Sequence, residues 1–304
     1  MPDEEAERRR GLLAGFTAYL LWGFFPLYFA ALGGVGALEV LASRIVWSLV
    51  FAVAALLALR TPWRWVRTTV APGRLVRLAA AAVLIAVNWL TYIWSVTSGY
   101  VVEAALGYFI NPLFNVAIGV WLFSEPLSRL GRTGVFLAFA GVAVIGWESW
   151  RTLWISLLLT FSFGLYGVAK KKAHLPALQG LAFESALLTP IALAYLGWLS
   201  LAGGLVFGTS PGTTALLVLA GPATLLPLWL FAVAAQRIPY GVVGVLQYLA
   251  PTVQFLLGIL VFGQRVVPSY WAGLALVWAG SAAYLASVLR DRRATRAAEA
   301  VAPG

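Results

Sequence analysis

Ten apolar stretches follow one another with little polar chain between them, each about as long as the roughly 20 residues that cross a bilayer as a helix. They cover roughly 11–31, 37–59, 76–97, 102–123, 131–147, 152–170, 178–199, 212–235, 240–262 and 268–289. In hydrocarbon every backbone N–H and C=O must be satisfied within the protein, so such a chain folds as a bundle of transmembrane helices. Composition agrees: 62% of the 304 residues are hydrophobic and 11% charged, where a soluble domain carries about 25% charged. The expected fold is all-α and integral to the membrane. Arg8-Arg9-Arg10 followed by Gly11–Ala31 reads as a retained first span rather than a signal peptide. The run is long, contains Trp22 and Pro26, and leads into further spans.

Several chemistries are excluded. There is no Cys, and His174 is the one histidine, so thiolate or histidine metal clusters and His-based triads cannot be built. The two aspartates, Asp3 and Asp291, lie in the tails, and no GxxxxGK[ST] loop is present. Neither an enzyme, nor a cofactor or metal, nor direct use of ATP is expected. The net charge of +10 reads as membrane topology rather than as nucleic-acid binding. Of the 21 Lys and Arg residues, Arg151 and Arg265 fall in loops on one side, Arg44 falls inside a span, and the rest lie on the other side. Basic loops stay cytoplasmic, so both termini, 1–10 and 290–304, are expected in the cytoplasm of a bacterial plasma (inner) membrane. The segment Arg60–Arg77, with Trp63 and Trp65, is expected to lie along the interface.

The chain also repeats itself. Gly107-Tyr108-Phe109-Ile110-Asn111-Pro112-Leu113-Phe114-Asn115 returns as Leu246-Gln247-Tyr248-Leu249-Ala250-Pro251-Thr252-Val253-Gln254. Each copy leads to a Phe-x-Glu/Gln corner, Phe123 to Glu125 and Phe262 to Gln264. Without gaps, Pro112 aligns with Pro251, Gly134 with Gly273 and Gly141 with Gly280. Five spans per half force the second half to enter the membrane from the opposite side, so the expected halves, 11–147 and 152–289, are inverted repeats.

Polar side chains inside spans mark either a cavity or a helix contact. Glu103, Gly107, Asn111, Asn115 and Gly119 recur every four residues on one face, and Gln247, Pro251, Gln254 and Gly258 form a similar stripe. Pro112 and Pro251, the candidate helix breaks, each free a carbonyl that can kink the helix, bind a substrate donor or take a hydrogen bond from a neighbouring helix. Arg44 stays charged at any depth. It either pairs with Glu39 or Glu103, or stands as a fixed cation for a substrate carboxylate. Glu103 and Glu184 are candidates for proton coupling, Glu184 with the alternative of a hydrogen-bonded neutral acid. Trp147, Trp150, Trp154, Trp198 and Trp271 fall at span ends, as interfacial anchors do.

The run Glu103-Ala-Ala-Leu-Gly-Tyr-Phe-Ile-Asn-Pro-Leu-Phe-Asn115 resembles the EamA family of the drug/metabolite transporter superfamily, and within it the RarD-type proteins. Ala18–Gly23, Arg44–Ser48, Asn88-Trp89 and Gln247–Pro251 extend the resemblance from about Gly11 to Leu289. It implies ten helices in two inverted EamA repeats and alternating access around a central cavity. Many relatives are acidic at both corners; here the second is Gln264. The expected activity is secondary active or exchange transport, exporting a small amphipathic metabolite or drug-like molecule. Import by the same fold and a non-transporting membrane ligand sensor or scaffold are the alternatives. The expected cavity lining is Arg44, Trp47, Asn88, Tyr92, Tyr108, Asn111, Asn115, Gln247 and Gln254. The expected partners are a small-molecule substrate and the lipid bilayer.

Overall fold

The computed structural model describes residues 2–70, 72–123, 128–173 and 175–301. Glu125 and His174 lie outside the described residues. Among those described the protein is all helix and turn, and its elements follow the apolar runs. They are α1 (Pro2–Gly23), α2 (Phe25–Ala30), α3 (Ala37–Ala58), α4 (Arg64–Thr69), α5 (Pro72–Thr97) and α6 (Val101–Phe123). Then come α7 (Arg129–Glu148), α8 (Trp150–Ala173), α9 (Ala177–Leu201), α10 (Pro211–Arg237), α11 (Tyr240–Leu246), α12 (Leu249–Leu260) and α13 (Pro268–Val301). Nine helical stretches among the described residues are long and apolar enough to cross a membrane. The first joins α1 and α2, and the ninth joins α11 and α12. α13 carries the tenth apolar run, prolonged by a polar tail.

The outward surface is apolar, as lipid requires and water does not. Phe136, Phe139, Ile191 and Leu201 are among the large apolar side chains turned outward, and Trp147, Trp150 and Trp198 are exposed at helix ends. α4 sits between the first two spanning hairpins, with Trp63 and Trp65 stacked at 6.1 Å.

Spacing alone does not decide where the spans break. Pro251 removes the donor for the Gln247 carbonyl, and the chain turns at Gln247–Tyr248, between α11 and α12. Pro112, the other candidate break, sits inside an α6 that runs unbroken from Val101 to Phe123. α8 supports that stretch. Ser156 donates to the Glu103 carbonyl at 2.6 Å and Thr160 to the Gly107 carbonyl at 2.9 Å. Both bonds fall ahead of the Tyr108 carbonyl, the one that Pro112 leaves without a helical donor. The first span instead breaks at Phe24, ahead of Pro26.

Glycines set the closest helix crossing. A Cβ on Gly134 would lie 2.6 Å from the Gly280 carbonyl oxygen, and one on Gly280 would lie 2.5 Å from that of Gly134. Gly141 and Gly273 meet in the same reciprocal way, the Gly141 carbonyl 2.6 Å from a Cβ on Gly273. α7 and α13 therefore cross antiparallel. Gly134 aligns in sequence with Gly273 but touches Gly280, the counterpart of Gly141. Swapping counterparts turns one contact into the other, which is the pattern of a two-fold axis. The remaining packing follows suit: α1 lies on α10 as α5 lies on α8, and α12 lies on α1 as α6 lies on α8.

Candidate functional site

Pro26 has no N–H, so the Trp22 carbonyl one turn earlier loses its helical donor. Gln254 supplies one: its Nε2 donates to that carbonyl at 3.0 Å. The bare backbone of Gly23 lets α12 come close enough, since a Cβ there would sit 2.8 Å from Val253 Cβ. Past the break, α2 carries Phe25 and Phe29 to Arg44.

Arg44 is 5% exposed. Its Nε donates to Thr224 Oγ1 on α10 at 2.9 Å. One face of the guanidinium lies 4.1 Å from the centre of the Trp89 ring, and Phe25 and Phe29 stand at 5.7 Å. Neither expected carboxylate partner reaches it. Glu39 Oε1 accepts the Val206 and Phe207 N–H groups at 2.9 and 2.8 Å. Glu103 Oε2 accepts from Gln264 Nε2 at 3.4 Å. Both acids are held by groups nearer to them, so Arg44 forms no ion pair among the described residues.

Next to Arg44 stands a tyrosine and amide cluster. Tyr92 meets Phe29 edge-on at 5.8 Å and Tyr108 at 5.5 Å. Tyr108 donates to Asn88 Oδ1 at 3.1 Å, and Asn88 Nδ2 donates to the Leu159 carbonyl and Ser162 Oγ, each at 3.0 Å. Asn88 thereby ties α5 to α8. Among the described residues, the buried side-chain atoms without a hydrogen-bond partner include Tyr92 OH, Asn111 Oδ1 and Gln254 Oε1, together with the hydroxyls of Ser43, Ser48, Ser185 and Ser281. Such orphans are rare in folded proteins and call for a missing partner.

The other expected site residues lie elsewhere. The Trp47 ring stacks on Phe207 at 6.4 Å, toward the loop before α10. Asn115 is exposed and faces α8, its Oδ1 3.4 Å from where a Cβ on Gly164 would lie. Gln247 sits in the break before α12. Gln264, at the second corner, accepts the Val102 N–H at 2.9 Å and donates to the Gly99 carbonyl, fastening the first turn of α6. Glu184 lies 2.5 Å from Lys170 Nζ and accepts from Tyr166 at 3.2 Å. Trp89, Thr224, Phe25 and Phe29 were not among the expected lining residues. Pro26 gave a signal for the last two, since it frees a carbonyl as Pro112 and Pro251 do. Two crevices of ≈ 670 and ≈ 470 Å³ open at Phe51–Thr214 and at Leu38–Trp154; neither is lined by Arg44, Tyr92 or Asn111.

No family model matches the sequence. Whole-chain relatives do. The chain is 46% identical over 302 residues to Protein RarD of Streptomyces exfoliatus, covering 98% of this chain and 96% of that protein. It is 35% identical to Protein RarD of Escherichia coli, over 95% and 98%. This chain belongs to the RarD-type transporters. An uncharacterized transporter of Pseudomonas aeruginosa is 44% identical over 95% of this chain and 97% of its own length. A solved crystal structure matches with a TM-score of 0.60 at 20% identity, over 91% of this chain and 97% of that one, and so shares the fold. The RarD-type protein described here is thus a multi-pass membrane protein of a transporter family.

Proposed function

We propose that this protein is a secondary or exchange transporter that exports a small amphipathic solute by alternating access around the Arg44 cluster. Two inverted repeats, 11–147 and 152–289, rock against one another, with both termini in the cytoplasm of a bacterial inner membrane. The observation that carries the reading is the set of orphaned groups in the bundle interior: Arg44 without a carboxylate, Tyr92 OH and Asn111 Oδ1 without partners. Their surroundings come from both halves. α2, α3, α5 and α6 belong to the first, and Thr224 and Gln254 to the second. Relative motion of the halves therefore opens or closes the cluster. Arg44 and Tyr92 are buried in this conformation, which fits an occluded state of an alternating-access cycle. The solute supplies contacts that the protein leaves unmade. Coupling to protons through Glu103 or Glu184 is part of the proposal for flux against a gradient.

The test is counterflow in proteoliposomes with labelled amino acids, amines, nucleosides, carboxylates and phenicols. At least one solute class is expected to exchange, with Tyr92→Phe and Asn111→Ala each slowing exchange by about tenfold while the melting temperature in detergent stays within a few degrees. Binding without exchange in sealed vesicles would instead favour a ligand sensor.

A further inference from the structure

We propose that the substrate is an organic monoanion, a carboxylate borne on a flat apolar body, which supplies the counter-charge that the protein withholds from Arg44. The proposal rests on the transporter reading of the same cluster. Of the 11 Asp and Glu residues, only Glu39, Glu103 and Glu184 lie within the apolar spans. Each is engaged elsewhere: Glu39 by two backbone amides, Glu103 by Gln264, Glu184 by Lys170 and Tyr166. The contrast with Glu184 is informative. At that buried charge the chain provides an opposite charge 2.5 Å away. At Arg44 it provides a hydroxyl and aromatic rings, which attract a cation without neutralising it.

The directions left open fit a carboxylate. Arg44 Nε is taken by Thr224 and one guanidinium face by Trp89. Among the described residues no acceptor meets Nη1 or Nη2, the edge that grips two carboxylate oxygens at once. Tyr28, Tyr92 and Tyr108 are near enough to feel the charge. Tyr28 donates to the Leu216 carbonyl and Tyr108 to Asn88. The Tyr92 hydroxyl is unengaged and can donate to the same anion. Phe25, Phe29 and Trp89 give a planar apolar body its surroundings. A neutral amphiphile would leave the cation unbalanced, and an amine would add to it.

The experiment uses the full chain in nanodiscs, with benzoate, 4-hydroxybenzoate and indole-3-carboxylate against benzamide and benzylamine. Binding is followed by thermal shift and by competition. The carboxylates are expected to raise the melting temperature, and benzamide to bind at least about 30-fold more weakly than benzoate, as loss of one partner of a buried charge pair implies. Arg44→Gln should lose benzoate by a similar factor. Arg44→Lys should recover part of the affinity, keeping the charge but not the two-pronged grip. The acid-to-amide ratio in the unmodified protein stands even if Arg44→Gln fails to fold. Equal binding of benzamide and benzoate, or displacement of benzoate by equimolar chloride, would overturn the proposal. Counterflow of a neutral phenicol that needs Tyr92 and Asn111 but not Arg44 would overturn it too, and leave the transporter reading standing. Benzoate binding that needs Arg44, without flux of any probe, would overturn the transporter reading instead.

Discussion

Pro26 takes an N–H away from the first span, and Gln254 gives one back from across the bundle. Removing that amide should therefore act on the helix break rather than on substrate. Gln254→Leu is expected to lower stability by about 1 kcal/mol, read as a fall in melting temperature that benzoate-type ligands do not selectively restore. The ion pair of Lys170 and Glu184 makes a second test at this scale. Lys170→Met strands a carboxylate that is 3% exposed and should cost about 3–5 kcal/mol. Lys170→Met with Glu184→Gln should recover most of that loss, and urea or thermal unfolding of the four variants measures the coupling. At this scale the sequence was partly legible. The four-residue spacing of Glu103, Gly107 and Asn111 put them on one face of α6, and among the described residues the Asn111 Oδ1 has no hydrogen-bond partner. The partner of Arg44 was not legible. Periodicity gives the face of a helix, but not which loop will claim Glu39, and the Val206–Phe207 amides belong to a stretch with no periodicity at all.

At the scale of elements, one proline motif has two outcomes. Both copies carry it, yet α6 continues through Pro112 while the second copy turns ahead of Pro251. Ser156 and Thr160, on another helix, hold α6 by the Glu103 and Gly107 carbonyls, ahead of the Tyr108 carbonyl that Pro112 leaves without a helical donor. Nothing within either copy encodes those contacts; the spans and the break ahead of Pro251 were legible, and the continuity of α6 through Pro112 was not. The α7–α13 crossing is more exacting, because its glycines face backbone that cannot yield. Gly141→Leu should drive the helices apart and cost at least about 1–3 kcal/mol. Gly273→Leu, its counterpart, should cost a similar amount, and thermal unfolding of both variants tests the equivalence. A marked difference between them would argue against the two-fold relation of the halves.

For the whole molecule, apolar length fixed the class of fold, and the return of one segment predicted a relation between halves that reciprocal glycine contacts support. The orientation in the bilayer rests on the basic loops alone. One prediction belongs here. Because Arg44 is part of the protein and stays behind, a monoanionic substrate that moves without a co-transported proton or an exchanged anion carries its charge across uncompensated. A membrane potential of 100 mV is worth about 2.3 kcal/mol per charge, so an inside-negative cell would drive such a substrate outward. In proteoliposomes given a potassium diffusion potential, benzoate uptake should rise when the lumen is made positive. Indifference to potential would mean that another ion travels with it.

The glycine crossing also has a consequence for how the molecule is made. At about 5–20 residues per second, α7 is in the membrane several seconds before α13 leaves the ribosome. Until then its glycine face has only lipid to meet, and lipid cannot fill it as another backbone does. The last helix to be synthesised is therefore the one that covers α7, and a nascent chain stopped after Arg265 is left with an open seam for quality-control proteases to read.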